Sequence, residues 1–233
     1  MKKLLLLLTA ILSIGVISCK KKGCTDPAAV NYSADAKKDD ESCKFTPTIV
    51  ITGNQTMTVL VGDTYTDAGA TATNADGSAA NVTTDISQIN TSVVGSFVVS
   101  YSAANENGTS TAERTVNVVF GQASWLGTGA VTDDCNFALF PLANAPVISA
   151  GGSATELVIS NMFDLVGGSV NATINGASIT IPQQTVNITL GNIILSGTGT
   201  MNASGTEFVV DYTYDNTTPI IGGTGNCTAT YAL

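Results

Sequence analysis

From residue 48 onward, apolar positions alternate with Thr, Ser and Asn at a period of two; they do not fall at the three- and four-residue steps of a helix. β-Branched segments at 48–52, 56–61, 82–86, 96–101 and 111–119 are punctuated by Gly53-Asn54, Asp76-Gly77 and Asn107-Gly108, pairs that favour tight turns. A second series follows at 157–159, 169–174, 178–181, 185–190, 193–201, 206–214 and 227–231, with turns expected at Asn175-Gly176, Gly191-Asn192 and Ser204-Gly205. The spacing predicts an all-β protein. The first series reads as a β-sandwich, the second as an antiparallel β-domain, either another sandwich or a small up-and-down barrel. A barrel can enclose a ligand, whereas a packed sandwich usually cannot.

The N-terminus breaks this pattern. Lys2 and Lys3 precede an apolar run over residues 4–17, shorter than the roughly 20 residues of a membrane-spanning helix. A basic start followed by a short apolar stretch reads as a secretory signal peptide over residues 1–18. Its last residues, Val16-Ile17-Ser18-Cys19, resemble a lipobox, although Ile17 stands where a small residue is usual. The resemblance implies acylation of Cys19, palmitate included, and so a lipid anchor in the cell envelope, at the periplasmic or surface face of the outer membrane. Each buried methylene adds about 0.8 kcal/mol, so several acyl chains hold a protein essentially permanently.

With Cys19 assigned to lipid, Cys24, Cys43, Cys135 and Cys227 remain, an even set for an oxidising compartment. Four cysteines pair in three ways; locality favours Cys24 with Cys43 and Cys135 with Cys227. The chain carries nine Lys+Arg against eighteen Asp+Glu, and loss of Lys2 and Lys3 with the signal leaves seven against eighteen, a side-chain charge of −11. Arg114 is the last base, so residues 115–233 would repel nucleic-acid phosphates and anionic headgroups. The basic run Lys20 to Lys22 lies beside the lipid. Histidine is absent, which removes the commonest general base and zinc ligand. No cofactor is expected.

Residues 19–46 form the lipidated, cysteine-bracketed segment. Gly23-Cys24-Thr25-Asp26-Pro27, Asn31-Tyr32, Ala36 and Asp39-Asp40-Glu41-Ser42-Cys43 are similar to a short module of secreted and surface proteins of Bacteroidota-type bacteria, with Glu41 where Gly is usual. The resemblance implies a disulfide-closed spacer. Asn31, Ser33, Asp35 and Asp39 invite comparison with a calcium loop, but an EF-hand needs Gly at its sixth position and Glu at its twelfth, where Ala36 and Ser42 stand.

Residues 47–120 are read as one domain. The stretch Val59-Leu60-Val61-Gly62-Asp63-Thr64-Tyr65-Thr66-Asp67-Ala68-Gly69-Ala70, continued by Asn90-Thr91-Ser92-Val93-Val94-Gly95 and Ala112-Glu113-Arg114-Thr115-Val116, resembles the bacterial immunoglobulin-like domain of surface adhesins and some pesticidal crystal toxins. Ala68 replaces the usual Pro of that turn, and Asn74-Ala75-Asp76-Gly77 is a reduced acidic loop. The resemblance implies presentation or adhesion. Asp63, Asp67 and Asp76 are expected to bond their own turns.

Residues 121–233 are read as a separate β-domain. Trp125, Phe137, Phe140 and Phe163 are candidates for a ligand pocket or, more commonly, core. Asp133-Asp134 beside Cys135 is a candidate cation site or cap; Glu207, Asp211 and Asp215 are the acids a glycosidase would need. Gly127-Thr128-Gly129 and Gly197-Thr198-Gly199 have no following helix start, which argues against a phosphate loop. The expected protein is non-catalytic and envelope-anchored, presenting a binding domain to a glycan or envelope protein. Alternatives are a carrier of a small apolar ligand and a carboxylate-dependent glycan hydrolase.

Overall fold

The structure, a computed structural model, describes residues 20–135, 142, 145–163, 167–188, 191–219 and 222–233. Its regular elements are strands and one single-turn 3-10 helix. Two compact units can be distinguished. One contains the described residues up to Thr52 with Ala70–Thr83 and Tyr101–Ala112; the other contains Gly53–Gly69, Thr84–Ser100 and Glu113–Leu233.

The first series of segments forms two sheets. β1 (Thr48–Ile51), β3 (Ala70–Thr73) and β4 (Ala79–Ala80) make one, in that order. β2 (Thr56–Leu60), β7 (Gly108–Val119), β6 (Gly95–Asn105) and β5 (Val82–Asp85) make the other, with β2 parallel to β7 from Thr56 opposite Thr115 to Leu60 opposite Val119. The period-two pattern governs burial: Val99, Tyr101 and Ala103 of β6 and Arg114, Val116 and Val118 of β7 are all buried. The 70–73 segment alternates only Ala with Thr, side chains too small to mark a strand by apolar contrast.

The second series resolves the choice between sandwich and barrel. After a 3-10 turn (Gln122–Trp125) come β8 (Gly127–Thr128), β9 (Ala130–Asp133), β10 (Val147–Ala150), β11 (Glu156–Phe163), β12 (Gly167–Asn175), β13 (Ser178–Ile188), β14 (Gly191–Met201), β15 (Glu207–Asn216) and β16 (Gly223–Ala232). They form one antiparallel sheet in the order β8-β10-β11-β12-β13-β14-β15-β16-β9. The outermost strands, β8 and β9, are separated only by Gly129, so the sheet nearly closes into a barrel. At this seam a Cβ on Gly129 would overlap the Ala232 carbonyl oxygen; only glycine permits so close an approach.

Inward positions build one apolar cluster that includes Leu157, Ile159, Val170, Ile179, Ile181, Leu195, Phe208 and Tyr231. The segments read as 178–181 and 185–190 are one strand interrupted by a register shift between Ile181 and Gln184. Pro182, with no N–H for a ladder, lies in the shift. On the opposite edge, where backbone pairing with β12 stops at Thr180, the Gln184 side chain continues the contact: its Oε1 accepts the Asn171 N–H at 2.9 Å and its Nε2 donates to the Asn171 carbonyl at 2.8 Å. Gly191-Asn192, expected as a turn, instead opens β14.

Candidate functional site

Residues 1–18, read from the sequence as a signal peptide, and Cys19 lie outside the described residues. In the segment that follows, Cys24 is bonded to Cys43, with Cα atoms 4.8 Å apart. A bridge between Lys22 and Lys38 and the bond from Lys37 N–H to the Lys21 carbonyl (2.8 Å) tie its two arms together. The residues weighed as calcium ligands serve separate structural roles. Asn31 donates to the Ser42 carbonyl at 2.7 Å and accepts the Lys44 N–H at 2.8 Å, Asp35 is paired with Lys21 at 3.0 Å, and Asp39 accepts the Glu41 N–H at 3.1 Å. Asp35 thus already has an ammonium ion as its cation.

Asp67 does more than close its turn. Its Oδ2 accepts the Gly69 N–H at 2.7 Å, as expected of a turn acid, while Oδ1 accepts the Tyr65 hydroxyl at 2.7 Å and the guanidinium of Arg114. Arg114 is fully buried and also donates from Nε to the Asn54 carbonyl at 3.1 Å. Burial, reinforced by the carboxylate, pushes the Tyr65 phenol above its ordinary value. Asp76 accepts the Ser78 N–H at 2.9 Å and its hydroxyl at 2.6 Å, which hold its carboxyl below the usual range. The parity of Arg114 with Val116 and Val118 on β7 is the signal in the sequence that it faces inward.

In the barrel, Trp125 is buried against Phe208, ring centroids 5.2 Å apart, and Phe208 stacks on Tyr231 at 4.6 Å. Trp125 is therefore a core residue. Phe137 and Phe140 lie outside the described residues; Phe163 ends β11. Asp133 turns inward, accepting the Tyr212 hydroxyl at 2.6 Å and the Cys135 N–H at 2.8 Å. Cys135 is bonded to Cys227, Cα atoms 5.1 Å apart, so these sulfurs, although close to Asp133, are not free thiolates for a metal. Asp134 instead accepts the Thr228 N–H at 2.6 Å on the outer wall.

Glu207, Asp211 and Asp215 occupy exposed positions on one face of β15 at four-residue steps. Such steps span about 13 Å along a strand, wider than the separation of a glycosidase acid pair. Gly127-Thr128-Gly129 lies at the seam, with Gly127 and Thr128 in β8, and Gly197-Thr198-Gly199 lies within β14. A shallow groove of about 640 Å³ crosses the outer wall of β13–β16; its lining includes Asp134, Asp211, Asn226 and five Ser and Thr side chains, with Ile181 and Cys227 at its base. Sequence reasoning weighed Asp134 and Asp211 separately and did not pair them, because the register of β15, β16 and β9 was unknown.

These features define an all-β protein in which an immunoglobulin-like domain is followed by a barrel-like antiparallel domain. Residues 49–118 match the family model described as bacterial surface protein, Ig-like domain. Among solved structures, the chain resembles a lipoprotein from Bacteroides thetaiotaomicron at 15% identity over 80% of this chain and 100% of that one, with a TM-score of 0.30, too low to carry an argument. No curated protein matches the chain.

Proposed function

We propose that this is a non-catalytic lipoprotein of the cell envelope, anchored in the outer membrane through acyl chains on Cys19, with the immunoglobulin-like domain serving as a stalk and the barrel as the recognising domain for a glycan or envelope protein. The observation that carries the reading is the match of residues 49–118 to a family of bacterial surface domains. It is supported by the apolar run before Cys19 and by the four remaining cysteines, which an oxidising compartment would keep in the two disulfides described. The absence of bases from residues 115–233 argues against nucleic acid as partner. Mass spectrometry of protein purified from its native host tests the anchor. The expected N-terminal peptide begins at acylated Cys19; an unmodified Cys19 in a water-soluble product overturns it.

A further inference from the structure

We infer that the groove on the outer wall of β13–β16 is a binding site for a short neutral oligosaccharide. The inference rests on the reading of the barrel as the recognising domain. Strand register builds the groove floor: Thr180, Thr198, Asp211 and Thr228 are consecutive cross-strand neighbours, one from each strand. Neighbouring strands lie about 4.8 Å apart, so the row presents polar groups at that interval. Ser196 and Thr213 form part of a parallel row, their hydroxyls 3.0 Å apart.

The acids are held in place by the protein. Thr228 Oγ1 donates to Asp211 Oδ1 at 2.8 Å, and Thr228 N–H donates to Asp134 Oδ1 at 2.6 Å. One threonine thereby fixes both carboxylates and leaves an Oδ2 on each to accept further bonds.

Ligand class follows from the lining. Phosphate, sulfate or carboxylate groups would meet two carboxylates with no compensating base anywhere in residues 115–233. An apolar ligand would strip water from the hydroxyls and leave them unpaired, which is unfavourable. A protein hot spot is built around buried aromatic and arginine anchors, whereas among the described residues the only aromatic ring on the groove, Tyr212, faces the barrel interior. Sugar hydroxyls suit the surface because each can donate to a carboxylate oxygen and accept from a threonine. At about 640 Å³ the groove is of small-ligand size.

The test is binding of the full chain, in detergent, to an immobilised panel of neutral and acidic oligosaccharides and to envelope extract, with Thr198→Trp and Asp211→Asn as variants. Thr198 is exposed, and tryptophan is a good strand former, so the first variant fills the groove while keeping β14. Neutral sugars are expected to bind the parent chain, with affinity falling about tenfold or more in Thr198→Trp and roughly fivefold in Asp211→Asn, at unchanged melting temperatures. Asp211→Asn preserves volume and decides the matter alone if Thr198→Trp unfolds. Neutral sugars binding both variants as tightly as the parent would overturn the groove but not the barrel's recognising role. Capture of an envelope protein or acidic sugars alone overturns the ligand class. Capture of nothing by the parent chain overturns both.

Discussion

Arg114 and Asp67, 47 residues apart in sequence, form an ion pair in which the guanidinium is wholly shielded from solvent and the carboxylate nearly so. A buried pair gains little net stability, but removing one partner strands the other charge, typically at a cost of 3–5 kcal/mol. Tyr65, Gly69 and Asn54 all bond to this pair, so the loop from Gly62 to Gly69 is held as a unit.

Asp67→Ala is therefore expected to destabilise the immunoglobulin-like domain by about 3 kcal/mol in denaturant melts. Asp76→Ala, at an exposed turn, should cost less than about 1 kcal/mol. Equal effects of the two substitutions would show that the buried pair contributes nothing beyond an ordinary turn bond.

The barrel seam makes a second demand. A methyl group on Gly129 would collide with the backbone of Ala232, which has no rotamer to yield. Gly129→Ala should force the link between β8 and β9 away from β16 and cost at least about 2 kcal/mol. Gly223→Ala, where the added atom meets open space, serves as the control. Similar melting temperatures for the two variants would mean that the seam opens freely.

Much of this architecture is legible from alternation alone. The long strands β6, β7, β14 and β15 coincide with expected segments, and alternation of apolar and polar residues runs through most of each, interrupted in β7 by the inward Arg114. The seam was not legible: Gly127–Thr128 and Ala130–Asp133 are interrupted by Gly129, and Val147–Ala150 is only four residues long. Pro182 makes one strand look like two, because the ladder with β14 shifts register there and contact with β12 is continued by a side chain, Gln184, and not by backbone. Local spacing likewise revealed Asp133, Asp134 and Asp211 as acids, but not that β9 turns one inward to Tyr212 and places the next beside Thr228. That separation depends on the pairing of β9 with β16, more than ninety residues further along the chain.

The two disulfides should differ in effect. In the chain-entropy model the stabilisation grows with loop length, from about 3 kcal/mol for a loop like that of Cys24–Cys43 to nearly 5 kcal/mol for one like Cys135–Cys227, whose sequence separations are 19 and 92. Cys135→Ser with Cys227→Ser should lower the barrel's melting temperature, whereas Cys24→Ser with Cys43→Ser should leave the barrel transition unmoved. A peptide map showing Cys43 joined to Cys135 would contradict the structure.

Alkaline pH should unfold the barrel through Tyr212. Burial first, and then its bond to the Asp133 carboxylate, push this phenol well above its ordinary value near 10; burial does the same for Tyr231. In the unfolded chain both titrate near 10. Because the folded values are raised, the stabilisation is fully present below pH 10 and is lost progressively above it, as the unfolded state releases protons that the folded state retains. Denaturant midpoints are therefore expected to be flat through neutral pH and to fall steeply above about pH 10. Tyr212→Phe should cost about 2 kcal/mol at neutral pH by leaving Asp133 without its hydroxyl donor. It should also flatten the alkaline slope, since one of the raised phenols is gone. A variant that keeps the parent's full alkaline slope would show that Tyr212 titrates normally in the folded chain, and that its hydroxyl is not held by Asp133.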